Sequence, residues 1–253
     1  MKKKLMKNSN DNSDWNTRCD LAACYRLCHY FGFTDRINTH ISSRSDTKSE
    51  EFFLNPVGLL FDEVKASNLV KLNMMGEKID TNNKYNFNEA GYMIHSAVLS
   101  NRQDVNCVIH HHSIASMTVG ALRQGLMFLT QHSLQFYKSV GYHPYNGFGL
   151  DINDEKNRLA NDLGNHSILF MQNHGVLICG STIGEAFCRM DDLEKACKAQ
   201  VAILSTNQDI IGPSEAVSEL TKSQYDKLGR PAGETEWPAM KRILERLGVE
   251  YKS

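Results

Sequence analysis

The segment Val105–His112 reads Val-Asn-Cys-Val-Ile-His-His-His and constrains the fold of this chain more than any other. Its β-branched and apolar residues suit a strand inside a sheet, and that strand ends in three consecutive imidazoles. Successive side chains on a strand point to opposite faces, so His110 and His112 project together while His111 faces the other way. Two imidazoles on one face either chelate a borderline divalent ion or are packed and hydrogen-bonded; a third ligand decides between these. His174 is the candidate third ligand. It follows an apolar strand pattern at Ser167–Met171, and Gly175 beside it lets the backbone turn and come close. Strand ends are where α/β sheets collect functional groups, and three histidines with one open position suit catalysis better than a closed structural site.

Around this strand, helical and extended patterns alternate, which sets the fold class as α/β. Leu21, Ala22, Tyr25, Leu27, Cys28 and Phe31 recur at helical spacing before Gly32. Short strands follow at Asn38–Ser43 and Phe52–Leu54, then a turn at Asn55-Pro56-Val57-Gly58. Leu69–Leu72 and Glu77–Ile79 read as a hairpin about Met75-Gly76. Helices are expected at Asn88–Ser100, from an N-cap at Ser113, at Leu134–Val140 ending on Gly141, at Asp154–Leu163 closed by Gly164, and at Thr182–Leu204. A further strand is expected at Val176–Cys179. Residues 1–13 read as a solvated, disordered tail and residues 14–206 as one domain. Residues 207–253, broken at Gly212-Pro213 and Gly229–Gly233, read as a helical extension packed on the domain or on a neighbouring subunit.

Charge and cysteine usage exclude several classes. With 28 Lys and Arg against 29 Asp and Glu, there is no excess of base for a nucleic-acid surface. The basic start, Met1–Lys7, runs into Asn8–Asp14 with no apolar stretch, so neither an export signal nor a membrane span is expected. The seven cysteines form no Cys-x-x-Cys pair and read as buried thiols in a reducing, cytoplasmic compartment; Cys19, Cys24 and Cys28 form a packed stripe on one helix.

The run Asn106–Ser113 resembles the strand that carries the His-x-His zinc pair in the class II aldolase/adducin family, and Asn173-His174-Gly175 resembles that family's third ligand site. Asn55-Pro56-x-Gly58, Ala90-Gly91-x-x-x-His95 and Gly180-x-Thr182-x-x-x-Ala186-Phe187 match in the same order, so the resemblance covers residues 20 to 205 or so. It implies a three-layer αβα fold with a central, largely antiparallel sheet, and a homo-oligomer, commonly a tetramer, with sites near subunit contacts. It implies a divalent metal, Zn²⁺ by default, on His110, His112 and His174, acting as a Lewis acid on a small-molecule carbonyl. By family position, His40, Asn55, Gly58, Gln131 and His132 would contact substrate, and Tyr137 would lie near the pocket.

Two departures matter. The family's sugar-phosphate aldolases place a Glu four residues before the histidine at the His95 position, as metal ligand and proton shuttle; here that residue is Gly91. Glu89 is roughly 200° around a helix from it and cannot take over. The phosphate-binding turns also differ: Thr39-His40 replaces a Gly-Asn turn, Val57 replaces a serine, and Glu89-Ala90 replaces a Ser-Ser pair. An ionised Glu repels a phosphate, which argues against a phosphorylated ketose. Both features resemble the adducin-type branch, bacterial members included. Yet adducins proper generally disrupt the metal histidines, and this chain keeps all three. Two functions stay open: a metal-dependent lyase using aldol cleavage or related enolate chemistry on a small non-phosphorylated hydroxy-carbonyl compound, or a non-catalytic scaffold with a structural metal. No residue is assigned as the catalytic acid or base.

Overall fold

Alternate side chains along each strand enter one of two apolar cores, and that sorting builds three layers. The structure, a computed structural model, describes residues 2–45, 49–147, 152–228 and 233–253, with side chains at 13–45, 49–147, 154–228 and 233–253. Among these, seven strands form one sheet: β1 (His40–Arg44), β2 (Glu51–Leu54), β3 (Val70–Asn73), β4 (Cys107–His111), β5 (Val140–His143), β6 (Ile168–Met171) and β7 (Gly175–Gly180). Their order is β3-β2-β1-β4-β7-β6-β5, and only the β5–β6 pair is parallel.

On one face, Cys107, Ile109, Val176 and Ile178 pack with α1 (Lys2–Phe31), α3 (Ile114–Ala121), α6 (Ile183–Ser205) and α8 (Glu236–Arg246). On the other, Val108, Leu177, Leu169 and Met171 pack with α2 (Glu89–Asn101) and α5 (Ile152–Leu163). This is the expected three-layer αβα arrangement around a largely antiparallel sheet. Side-chain oxygens of Asn88, Ser113 and Thr182 accept from backbone N–H groups at the starts of α2, α3 and α6, each cap stabilising by about 1 kcal/mol.

Three local expectations change. Leu134–Val140 is not a helix: α4 covers only Gln131–Leu134, and Val140 begins β5. Gly141 is no helix stop there; a Cβ on it would lie 2.7 Å from the Asp162 carbonyl, so it admits α5 against the strand. The second arm of the hairpin shrinks to one bridge, Leu72 to Lys78. The tail expected at 1–13 falls almost wholly on residues whose side chains lie outside those described, and the α1 backbone runs through it from Lys2. Within 207–253, α7 (Glu215–Lys227) lies against α4, while α8 packs on α1 and α6, with the Trp237 ring 5.7 Å from Phe187. Among the described residues, no helix is long and apolar enough to cross a membrane.

One buried cation ties β1 to the layer that covers the site. Arg44 is 2% exposed and donates to the carbonyls of Val105 (3.0 Å), Ser49 (2.7 Å), Arg102 (3.2 Å) and Leu99. Arg44→Met keeps much of the volume but orphans these carbonyls. We expect it to destabilise the fold by about 3–5 kcal/mol in urea unfolding followed by circular dichroism.

Candidate metal centre

The strand register gathers histidines at one end of the sheet. His40 pairs with His110, His111 with Val176, Met171 with Gly175, and His143 with Met171, so the start of β1, the end of β4, the start of β7 and the end of β5 are neighbours. His110 shares the parity of Val108 and therefore faces α2 and α5; His112 follows it. His174 reaches the same place from the β6–β7 turn. Asn173 supplies the left-handed residue of that turn (φ 58°), and the His174 N–H donates to the Met171 carbonyl at 3.0 Å. The role expected of Gly175 is thereby divided. Its φ is ordinary, and what it provides is room: a Cβ there would lie 2.6 Å from both the His111 carbonyl and His112 Cδ2.

The three rings converge. Centroids of His110, His112 and His174 lie 4.7–4.9 Å apart, and one nitrogen of each falls within 4.8 Å of the others. Two of the rings have their tautomers fixed from behind. His110 Nδ1 donates to the Val176 carbonyl (3.1 Å), and His112 Nδ1 donates to Asp35 Oδ2 (3.1 Å). Each therefore turns an Nε2 lone pair toward the other, and those two nitrogens are 2.9 Å apart. Lone pairs that close repel unless a proton or a metal cation lies between them. A third imidazole suits a divalent ion better than a shared proton, since a proton joins two nitrogens and a divalent ion takes three or more. Burial, reinforced by the neighbouring rings, pushes the pKa of His110 well below its usual value and that of His174 down to about 4. Both stay neutral near pH 7, the form that ligates. The hydrogen bond from His112 holds Asp35 below the usual carboxylate range, and a carboxylate behind a ligand histidine orients the ring.

The trio opens on a cavity of about 520 Å³ that runs under α2 and α5. His40 lines it and explains Gly91. A Cβ at position 91 would lie 2.9 Å from His40 Cδ2, so the ring of His40 fills the space beside the helix that a longer residue would need. That ring stacks on His110 at 4.9 Å, and its Nδ1 lies 2.7 Å from His95 Nε2; His95 Nδ1 in turn meets Ser42 Oγ. Glu89 is exposed and outside the lining.

The other expected contacts are not brought here. Asn55 is buried behind β1, where its side chain takes a hydrogen bond from Tyr25 (3.0 Å). Gly58 sits in an exposed turn (φ 89°). Gln131 and His132 are exposed on α4, beside Tyr225 and Asp192, and Tyr137 meets Phe128 edge to face. None of these lines the histidine cavity. His111 faces the opposite layer, where its Nδ1 accepts from the Ser113 N–H and its Nε2 has no partner. Asp35 carries no signal in the sequence, nor do His143 and Glu155, which also line the cavity. His143 follows Gly141, which had been read as a stop.

Residues 19–201 match the model of the class II aldolase and adducin N-terminal domain. A Pseudomonas aeruginosa protein named in the aldolase class 2 group is 40% identical over 248 residues, 95% of this chain and 93% of that one. Mouse alpha-adducin is 35% identical over 250 residues, 91% of this chain and 33% of that one. Among solved structures, an aldolase II superfamily protein from Pseudomonas syringae superposes with a TM-score of 0.89 at 38% identity, covering 95% and 96% of the two chains. An L-fuculose 1-phosphate aldolase from Glaciozyma antarctica gives 0.82 at 28% identity, covering 96% and 94%.

Two outcomes follow from the packing of this centre. Gly91→Ala gains about 1 kcal/mol of helix propensity but overpacks a ring locked on both sides, which costs about 1–3 kcal/mol. Net destabilisation is expected in urea unfolding, although the same change stabilises most helices. In acid, burial holds His95 and His111 neutral down to about pH 3 and His174 down to about pH 4. The unfolded chain binds these protons from about pH 6.5 downward, so it is favoured as pH falls through that window. Metal-free protein should lose on the order of 1 kcal/mol per pH unit for each such histidine between about pH 6 and 4. Unfolding midpoints that do not change across that range would contradict the neutral-histidine assignment.

Proposed function

The chain belongs to the class II aldolase and adducin family, and on that premise we propose that His110, His112 and His174 hold one divalent metal ion, Zn²⁺ by default, in a lyase site. The observation that carries this is the pair of Nε2 lone pairs facing each other at 2.9 Å, each ring fixed from behind by a carbonyl or a carboxylate. A Zn²⁺ ion bound there polarises a carbonyl and stabilises the negative charge left on carbon when an adjacent bond breaks. The chain's own residues supply the rest. Asp35 orients His112, Gly175 lets the ligand rings lie against β7, and Met93 and Ile94 make the cavity wall apolar so that bulk water is thinned around the reacting carbonyl.

The substrate we infer is a small, non-phosphorylated hydroxy-carbonyl compound, cleaved by aldol chemistry or a related enolate reaction. The described lining of the cavity holds no Lys or Arg, and Asp35 and Glu155 add negative charge to it, which suits a neutral substrate better than a phosphate dianion. A structural metal would be closed by a fourth protein ligand, whereas these three open onto about 520 Å³ of cavity, which favours the enzyme over a scaffold. On the same reading the chain works in a reducing cytoplasm, as its seven free cysteines suit, and as a homo-oligomer, with a tetramer the first expectation.

Elemental analysis of untagged protein grown with zinc should find about one metal per chain, and His110→Ala/His112→Ala protein should hold almost none while keeping its circular dichroism. Folded wild type with far less than one metal per chain, even after supplementation, would sink the assignment. Calorimetry of the zinc-loaded protein should show dihydroxyacetone phosphate binding no more tightly than dihydroxyacetone. A strong preference for the phosphate would overturn the substrate class.

A further inference from the structure

The cavity lining holds a second chemically equipped cluster beside the ligand trio: His143 pairs with Met171, three residues before His174. His143, at the end of β5, is 2% exposed and held at both nitrogens: Nε2 lies 2.8 Å from Glu155 Oε1, and Nδ1 lies 2.7 Å from Asp162 Oδ2. Both carboxylates belong to α5, and Gly141 is what lets that helix approach the strand. Glu155 and His143 both line the cavity, with side chains 11% and 2% exposed, and the Asp162 side chain, 35% exposed, reaches solvent. The charged groups facing the ring are Glu155, Asp162 and, through Glu155, Arg158, whose Nη1 donates to Glu155 Oε2 at 2.7 Å; His174 is near enough to interact with the ring's charge. Arg158 also reaches Asn146, so it is already engaged on both sides.

We propose that Glu155, His143 and Asp162 form a proton wire from the cavity to solvent, with Glu155 as the acid–base group that acts on substrate held at the histidine trio. The proposal rests on the lyase reading above. It also supplies what Gly91 removes, a pocket carboxylate, from α5 instead of α2. In bond cleavage, Glu155 takes the proton of a substrate hydroxyl as the O–H electron pair becomes the new carbonyl and the C–C pair stays on the departing carbon. With a carboxylate oxygen 2.8 Å from Nε2 and 2.7 Å from Nδ1, each gap holds a proton at rest. As Glu155 takes the substrate proton on its other oxygen, the Nδ1 proton moves to Asp162 and Asp162 releases it to water, while Nε2–H stays hydrogen-bonded to Glu155. Protonation of the departing carbon reverses this: Glu155 gives its proton to carbon, and solvent returns one through Asp162 to Nδ1. The ring returns to its starting state, with no proton gained or lost. An imidazole suits the middle position because it keeps one hydrogen bond at Nε2 while giving up and regaining the Nδ1 proton. Glu155 is the catalytic residue of the three; His143 and Asp162 act through it.

The test follows hydrogen exchange at the carbon of dihydroxyacetone in D₂O by proton NMR, with zinc-loaded protein. Wild type should exchange the probe far faster than His110→Ala/His112→Ala protein. Glu155→Gln should slow exchange about 100-fold or more at unchanged zinc affinity and unchanged circular dichroism. Asp162→Asn should slow it about tenfold and be restored by millimolar imidazole buffer, which a merely structural contact would not allow. As a readout apart from turnover, nitrogen-15 NMR of labelled histidines in metal-free protein should show the His143 nitrogens shifting in Glu155→Gln and in Asp162→Asn. If wild type exchanges the probe no faster than the double variant, the lyase reading fails and the wire fails with it. If wild type exchanges and Glu155→Gln exchanges equally well, or if the His143 nitrogens ignore both substitutions, the wire alone is overturned and the metal reading stands.

Discussion

Everything at this site depends on β4 lying antiparallel between β1 and β7. That register places His40 beside His110 and brings the start of β7 level with the end of β4. A slip by one residue would turn His110 and His112 toward α6 and bring His111 under α2, because side-chain direction alternates along a strand. Burial of Cys107 and Ile109 in one core and Val108 in the other prevents that slip. The apolar residues that hold the sheet together are therefore what aim the imidazoles, and the polar cluster needs no rigid loop of its own.

The second requirement is room, and two glycines provide it on opposite sides of the cluster. Gly175 lets β7 pass within touching distance of the His112 ring, and Gly91 lets α2 close over His40. Both act by lacking a Cβ, and neither has an unusual φ. With the rings packed this tightly, water cannot solvate an imidazolium, so burial keeps His40, His95 and His110 neutral, and that state suits ligands. Tight packing and readiness for metal have one cause.

The parts of this architecture that depend on near neighbours in sequence were legible in it. Alternation through Val105–His112 gave the strand and the direction of each histidine, and Asn88, Ser113 and Thr182 marked helix starts. The family motifs carried the three-layer fold. What escaped depends on contacts between distant segments. Asp35 reaches His112 across 77 positions, and nothing local distinguishes it from any other acidic residue in a turn. Val140 was absorbed into a helix ending at Gly141 and the rest of β5 was given no element, because half of its four residues are a glycine and a histidine, too few apolar positions to show a period of two. Missing β5 hid the facing helix as well: Glu155 and Asp162 look like an ordinary polar helix surface until His143 is placed between them. Gln131, His132 and Tyr137 were placed near the pocket by family position, and within one chain they sit on α4 and in the turn after it, outside the cavity lining.

The exchange of a glutamate on α2 for Gly91 is best understood through what a carboxylate does to a metal-bound cavity. A carboxylate beside the trio competes for the ion as a ligand and must let go before it can move a proton. A carboxylate on α5 is held by His143 and Arg158, so its hydrogen bonds keep it in place whether or not metal is bound. The space given up at position 91 is occupied by His40, a ring that burial keeps neutral and that stacks on His110. On the reading proposed above, separating the proton-handling group from the ligand set also changes what can bind: the side near α2 carries no carboxylate, while Asp35 and Glu155, the latter paired with Arg158, line the rest. On the same proposal, a neutral hydroxy-carbonyl compound, which would both ligate the ion and donate a hydrogen bond to Glu155, fits this distribution better than an anionic phosphate.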